Sequence, residues 1–150
     1  MVRYNYKVVP LTTPHPAFPK ESSVWIPILL AKIDNPATHS PPTKRFEAIV
    51  DSGAPDCYFH ASIGRAIGLK IEKGVEGDLS GIVQGAGIKV YYHDIGLWVG
   101  ADHIRIRAGF SDGVSVAGIL GRRGFFDNFT ITFDPALAPP GFSIQRVGRA

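Results

Sequence analysis

A single cysteine, Cys57, leaves the 150-residue chain without the means to form an internal disulfide. That excludes the disulfide-stapled class of small secreted domains and points to a reducing compartment. The first residues, Met1-Val2-Arg3-Tyr4-Asn5-Tyr6-Lys7, contain no apolar signal core. Long hydrophobic runs are missing too. The longest, from Trp25 to Ala31, is broken by Pro27 and falls far short of the roughly 20 residues that span a bilayer. A strong charge of one sign is likewise absent: the formal net charge is +3, with acids and bases interspersed. So mild an excess reads as a solvated basic surface rather than a nucleic-acid footprint. No repeat, linker or low-complexity segment divides the chain. The expectation is one soluble, cytoplasmic domain over residues 1–150, with neither a nucleic-acid nor a membrane partner.

Metal and nucleotide motifs are also lacking. Cys57-Tyr58-Phe59-His60 has the spacing of half a zinc site, but no second ligand pair accompanies it, and His15, His39, His93 and His103 are scattered. Packing or surface roles explain these residues better. Gly118-Ile119-Leu120-Gly121-Arg122-Arg123-Gly124 lacks the Gly-Lys-Ser/Thr ending of a phosphate loop. Ile104-Arg105-Ile106-Arg107 reads as a strand with isoleucines inward and arginines outward. The sequence therefore calls for no metal and no cofactor.

Short strands are what the sequence does contain. Val2, Tyr4, Tyr6 and Val8 alternate with polar residues, as do Phe129, Ile131 and Phe133. Strand patterns recur at Val24 to Ile33, Phe46 to Asp51, Tyr91 to Val99, Ile104 to Ala108, Val114 to Leu120 and Phe142 to Val147. Proline-rich connections occupy Pro10 to Lys20 and Asp34 to Lys44. One short helix is expected from the shared face of Phe59, Ile63, Ala66 and Ile67, stopped by Gly68. Gly121 to Asp127 reads as a short helix or turn. Ile82 to Val90 reads as a hairpin turning at Gly85-Ala86-Gly87. Many short strands with frequent turns predict an all-β barrel or sandwich.

One tripeptide carries candidate chemistry. Asp51-Ser52-Gly53 follows the apolar strand residues Ala48-Ile49-Val50. Alone it is an ordinary strand-ending turn, expected by chance in on the order of a few per cent of chains this long. Two further features keep it company: the glycine-centred hairpin and the segment Ile119-Leu120-Gly121-Arg122, which precedes the strand Phe129 to Phe133. In this order and spacing the chain, from about Trp25 to Asp134, resembles the retropepsin-like aspartic proteases of the single-domain Asp-Ser/Thr-Gly-Ala type.

That resemblance implies a closed, retropepsin-like acid-protease barrel with one or two short helices and a flap hairpin. Residues 1–22 would be an N-terminal extension and 135–150 a C-terminal segment. It implies an aspartic-type endopeptidase with Asp51 as the catalytic group and Ser52, Gly53 and Ala54 as its supporting loop. Val83, Gln84, Gly85, Ala86 and Gly87 would form the flap against a peptide or protein substrate. Leu120, Gly121, Arg122 and Asp56 would support the site. Two carboxylates that close share a proton because both cannot easily ionise. Only one Asp-Ser/Thr-Gly is present: Asp112-Gly113 lacks the hydroxyl residue and Asp134-Pro135 has the wrong chemistry. An active enzyme would therefore be a homodimer joined through its own active site, with Ser52 hydrogen-bonding across it. The sequence departs from the viral members at Pro55, where an acid often pairs with the arginine of the Gly-Arg segment. Asp56 comes one place later, leaving Arg122, Arg123 or neither as its partner. The rival reading is a catalytically silent module of the same fold, used for dimerisation or peptide binding.

Overall fold

Alternation of buried and exposed side chains sets the strands. The computed structural model describes residues 1–79 and 87–148. In chain order the strands are β1 (Val2–Asn5), β2 (Lys7–Pro10), β3 (Ser23–Ile26), β4 (Ile28–Asp34), β5 (Phe46–Val50) and β6 (Tyr58–His60). The helix α1 (Ala61–Ala66) and a 3₁₀ turn, Ile71–Lys73, come next. They are followed by β7 (Val75–Leu79), β8 (Ile88–Val99), β9 (Asp102–Ser111), β10 (Gly118–Leu120), β11 (Phe129–Asp134) and β12 (Gly141–Arg146). In β4, Leu29, Ala31 and Ile33 are buried while Leu30 is exposed. In β9, Ile104 and Ile106 point inward and Arg105 and Arg107 outward. This is the period of two that a half-buried strand requires.

The sheet order β4-β5-β10-β6-β9-β8 closes on itself, because β8 also pairs with β4, Ala31 opposite Val99. The result is a closed six-stranded barrel. Closure removes the exposed strand edges that an open sheet presents to other chains. Two of its pairings are parallel, β5 with β10 and β6 with β9. The barrel is filled by Leu29, Ile33, Phe59, Ile95, Leu97, Phe110 and Leu120, all essentially inaccessible to solvent. Phe59 meets Phe46 edge-on at 5.6 Å and Phe110 at 5.7 Å.

β7 is not a barrel stave. Among the described residues it pairs only with the first part of β8, Val75 opposite Tyr92 and Leu79 opposite Ile88, and extends that strand into an arm. A second sheet, β1-β12-β11, packs against the barrel through Phe142, Ile144 and Phe129, with Tyr4 stacked on Phe142 at 5.6 Å. Parts of both terminal segments are thus built into one sheet. β2 and β3 form a separate two-stranded hairpin.

Several elements differ in extent from the sequence expectation. The pattern from Val2 to Val8 breaks at Tyr6, since β1 pairs with β12 and β2 pairs with β3. Pro27 divides the expected Val24–Ile33 strand into β3 and β4, as a residue without an N–H must in a ladder. Phe59 is not helical. It lies in β6, paired with Phe110 on one side and Gly118 on the other, and the helix begins only after His60. There the His60 ring accepts the Ser62 N–H at 3.2 Å and caps α1. Of the strand expected over Val114 to Leu120, only Gly118–Leu120 pairs. Of the two readings of Gly121 to Asp127, helix or turn, the structure has the turn, with Arg123 bridged to Asp56. Among the described residues, no helix is long and apolar enough to cross a membrane.

Candidate active site

The parallel pair β5 and β10 brings two sequence motifs together that lie about seventy residues apart. Ala48 sits opposite Gly118 and Val50 opposite Leu120. Where the strands end, the ladder continues for one more bond: the Asp51 N–H donates to the Leu120 carbonyl at 3.0 Å. On the other flank the Val50 N–H donates to Pro27 at 2.9 Å. The chain then turns tightly, the Ala54 N–H reaching back to the Asp51 carbonyl at 3.2 Å. Asp51, Ser52 and Gly53 are exposed. The Asp51 Oδ1 accepts the Gly53 N–H at 2.9 Å, which fixes the carboxylate on the turn.

The second motif buttresses this turn from below. The Arg122 N–H donates to Ala54 and the Arg123 N–H to Pro55, both at 2.9 Å. For those bonds to form, Gly121 has to cross directly beneath the loop. A Cβ there would overlap the Asp56 carbonyl oxygen and lie 2.7 Å from that of Ala54. Only glycine allows so close an approach of two backbones. Gly124 turns the chain away with φ +105, a conformation glycine adopts without strain. Leu120 is fully buried and anchors β10 in the core.

Asp56 is the buried hub beside the loop, 6% exposed. Its carboxylate accepts from the Arg123 guanidinium through both oxygens, with Nη2 at 3.1 Å from Oδ2. The same Oδ2 accepts the Tyr58 hydroxyl at 3.2 Å and the Tyr92 hydroxyl at 3.1 Å. Burial by itself pushes this carboxyl up. The Arg123 hydrogen bonds, the Tyr92 and Tyr58 hydroxyls and the Arg123 charge outweigh it and leave the group below the ordinary carboxylate value. Burial raises the phenols of Tyr58 and Tyr92.

The arginine that pairs with Asp56 is Arg123. Arg122, expected among the supporting residues, supports the loop through its backbone N–H while its side chain faces solvent. The reason is local. Asp56 and Arg123 sit opposite each other in an isolated parallel bridge, so the side chain of the residue before Arg123 falls on the other side. Tyr58 and Tyr92 went unnoticed in the sequence. Tyr92 is thirty-six residues from Asp56 and reaches it only because β8 closes over the end of β6 through β9. Cys57 and His60 do not converge. The thiol is buried against the Arg123 carbonyl at 3.6 Å and its pKa is pushed up to about 12 by burial, whereas His60 caps α1. Of the expected flap residues, Val83, Gln84, Gly85 and Ala86 lie outside the described residues. Gly87 is exposed and directly precedes β8.

No family model matches the sequence, and no curated protein matches it. Solved structures do. A retropepsin-like aspartic protease from Rickettsia conorii aligns with 99% of this chain and 100% of its own length, at a TM-score of 0.54 and 11% identity. The chain has a retropepsin-like fold. The EIAV protease, solved with the inhibitor HBY-793, aligns with 65% of this chain and 82% of its own, at a TM-score of 0.45 and 18% identity. In the retropepsin-like barrel described here, Asp51 occupies the open end of the parallel pair β5 and β10. A cleft of about 520 Å³ lies apart from Asp51, lined by Asp56, Tyr92, Arg105, Arg107 and Arg123.

Proposed function

We propose that this chain is an aspartic endopeptidase that works as a homodimer, each copy contributing one Asp51. The observation that carries the reading is the Asp51 loop: an exposed carboxylate on a tight turn, braced by backbone bonds from Leu120, Arg122 and Arg123, within a retropepsin-like fold. Bracing of this kind suits a group that must be held in one orientation towards a reacting bond. A carboxylate that served only to end a strand would not need a second strand and a buried, hydrogen-bonded Asp56 beside it.

In the dimer two Asp51 carboxyls share one proton, and the pair titrates as a unit. The ionised partner takes a proton from water, whose oxygen forms a bond to the scissile carbonyl carbon. The protonated partner donates its proton to the carbonyl oxygen, giving a neutral tetrahedral intermediate. Collapse of that intermediate breaks the C–N bond as a proton passes to the leaving nitrogen, and the shared proton returns to the pair. The substrate lies extended, as an added strand between the β7–β8 hairpin and the Asp51 loop. Ser52 hydrogen-bonds across the twofold axis. No metal or cofactor enters the chemistry.

The test is cleavage of a peptide library from mildly acid to neutral pH, with wild type and Asp51→Asn side by side. Wild type is expected to cleave with a bell-shaped dependence on pH, and the variant to lose at least about a hundredfold in rate. Cleavage that survives the substitution would sink the mechanism. A dimer that cleaves nothing would instead favour the silent peptide-binding module.

A further inference from the structure

Tyr92 occupies the residue at which β8 changes partners. From Tyr91 onward β8 is a barrel stave, paired with β9 from Phe110 back to Asp102. From Tyr92 back to Ile88 it is one side of the β7 arm, paired with Val75 through Leu79. The only pairs shared by both ladders are at Tyr91 and Tyr92, opposite Glu76 and Val75 on one side and Phe110 and Gly109 on the other. The ring is seated between glycines, which leave room for it: a Cβ on Gly77 would lie 3.0 Å from the ring and one on Gly109 3.4 Å. Its hydroxyl leaves the sheet altogether and donates to Asp56 at 3.1 Å.

Asp56 in turn belongs to the Asp51 loop. It bridges to Arg123, whose backbone N–H holds Pro55 and whose neighbour's N–H holds Ala54. A continuous line of hydrogen bonds therefore joins the root of the arm to the turn that carries Asp51. Tyr58 donates to the same carboxylate oxygen from β6, a barrel strand; its ring packs beside Val90, Leu79 and Tyr92, but among the described residues it shares no ladder pair with the arm. The two phenols thus satisfy one carboxylate from two different strands, and of the two Tyr92 is the one paired into the arm.

We infer that Tyr92 is a positioning residue for catalysis: its hydroxyl fixes the root of the β7–β8 arm relative to the Asp51 loop, and so sets how the arm meets a bound peptide. This rests on the protease reading above. The arm contributes binding to an extended substrate. Asp56, still held by Arg123 and Tyr58, keeps the loop in place without Tyr92. Removing the hydroxyl therefore weakens substrate binding more than it slows the chemical step.

The experiment compares wild type, Tyr92→Phe and Tyr58→Phe by peptide kinetics and by amide hydrogen exchange of the unliganded protein. Tyr92→Phe is expected to raise KM about tenfold with kcat changed less than about threefold. It should also speed exchange of the β7 amides without speeding that of β4 or β5. Tyr58→Phe, which deletes an equivalent bond, should lower thermal stability while leaving KM and β7 exchange near wild type. Unchanged β7 exchange in Tyr92→Phe would overturn the tie, whatever the kinetics. Faster β7 exchange with wild-type KM and kcat would overturn the positioning role. Equal effects of the two variants would reduce Tyr92 to a structural hydroxyl. If wild type cleaves nothing, or cleavage survives Asp51→Asn, the protease reading falls and the positioning role with it. The exchange data then still report the tie by itself.

Discussion

Gly121 and Asp56 show how single residues hold the Asp51 loop. Gly121 lies against the Asp56 and Ala54 carbonyl oxygens, both backbone atoms that cannot rotate away. Gly121→Ala is therefore expected to cost about 3 kcal/mol or more, the upper end of over-packing penalties, measured by urea unfolding. A cost under about 1 kcal/mol would mean that the two backbones do not meet as described. Asp56 makes a different prediction, about pH. Its folded pKa lies below the ordinary value of about 3.9. Its contribution is therefore fully present above that value and is lost as pH falls through the lower, folded one. The unfolding free energy of wild type should fall more steeply than that of Asp56→Asn between about pH 5 and pH 2. Asp94 and Asp112 are also held low, by Arg107 and Arg65, but they remain in both proteins and cancel in the difference. Parallel curves would show that the Asp56 carboxylate is not held by Arg123 and the two tyrosines.

Among the elements, β8 and β9 carry the plainest test of the alternating pattern. Ile95 faces Ile106 across the ladder, and both point into the barrel, while Arg105 points out. Ile95→Ala should cost about 2–5 kcal/mol, because the cavity left in a closed barrel cannot collapse freely. Arg105→Ala should stay within about 0.5 kcal/mol. Equal costs would contradict the inward and outward assignment. This much was legible in the sequence, since Ile104-Arg105-Ile106-Arg107 states its own parity. The helix was less so. Phe59, Ile63, Ala66 and Ile67 do fall at helical spacing, yet Phe59 is claimed by strands on both sides. Tertiary pairing overrides a local period when the competing element is only six residues long. Pro27 likewise divides the single strand expected over Val24 to Ile33 into β3 and β4, because it has no N–H to give the ladder.

For the molecule as a whole, the proposed chemistry demands two chains. The single Asp-Ser/Thr-Gly leaves a lone chain with half of a two-carboxylate site. Activity per chain is therefore expected to fall when the protein is diluted below its dimerisation constant. Sedimentation velocity on the same samples should show monomer appearing in parallel. Constant specific activity over about a hundredfold dilution of a sedimenting monomer would refute the shared site. The proposed isologous dimer also predicts that mixing wild type with excess Asp51→Asn poisons activity, because mixed dimers would carry only one intact carboxylate.

By itself the sequence determined the strand parity of β9 and β11 and the turn at Asp51-Ser52-Gly53, because each depends on neighbours within a few residues. Tertiary structure alone decided which arginine meets Asp56. A shift of one residue reverses the side a side chain takes, and the register of Asp56 opposite Arg123 is fixed by the barrel rather than by either segment. It also brought the hydroxyls of Tyr58 and Tyr92 to one buried oxygen. Two strands separated by more than thirty residues converge there only because β6, β9 and β8 are adjacent in a closed sheet. Local pattern specifies which side a residue faces. What it then meets depends on closure, which no short stretch of sequence contains.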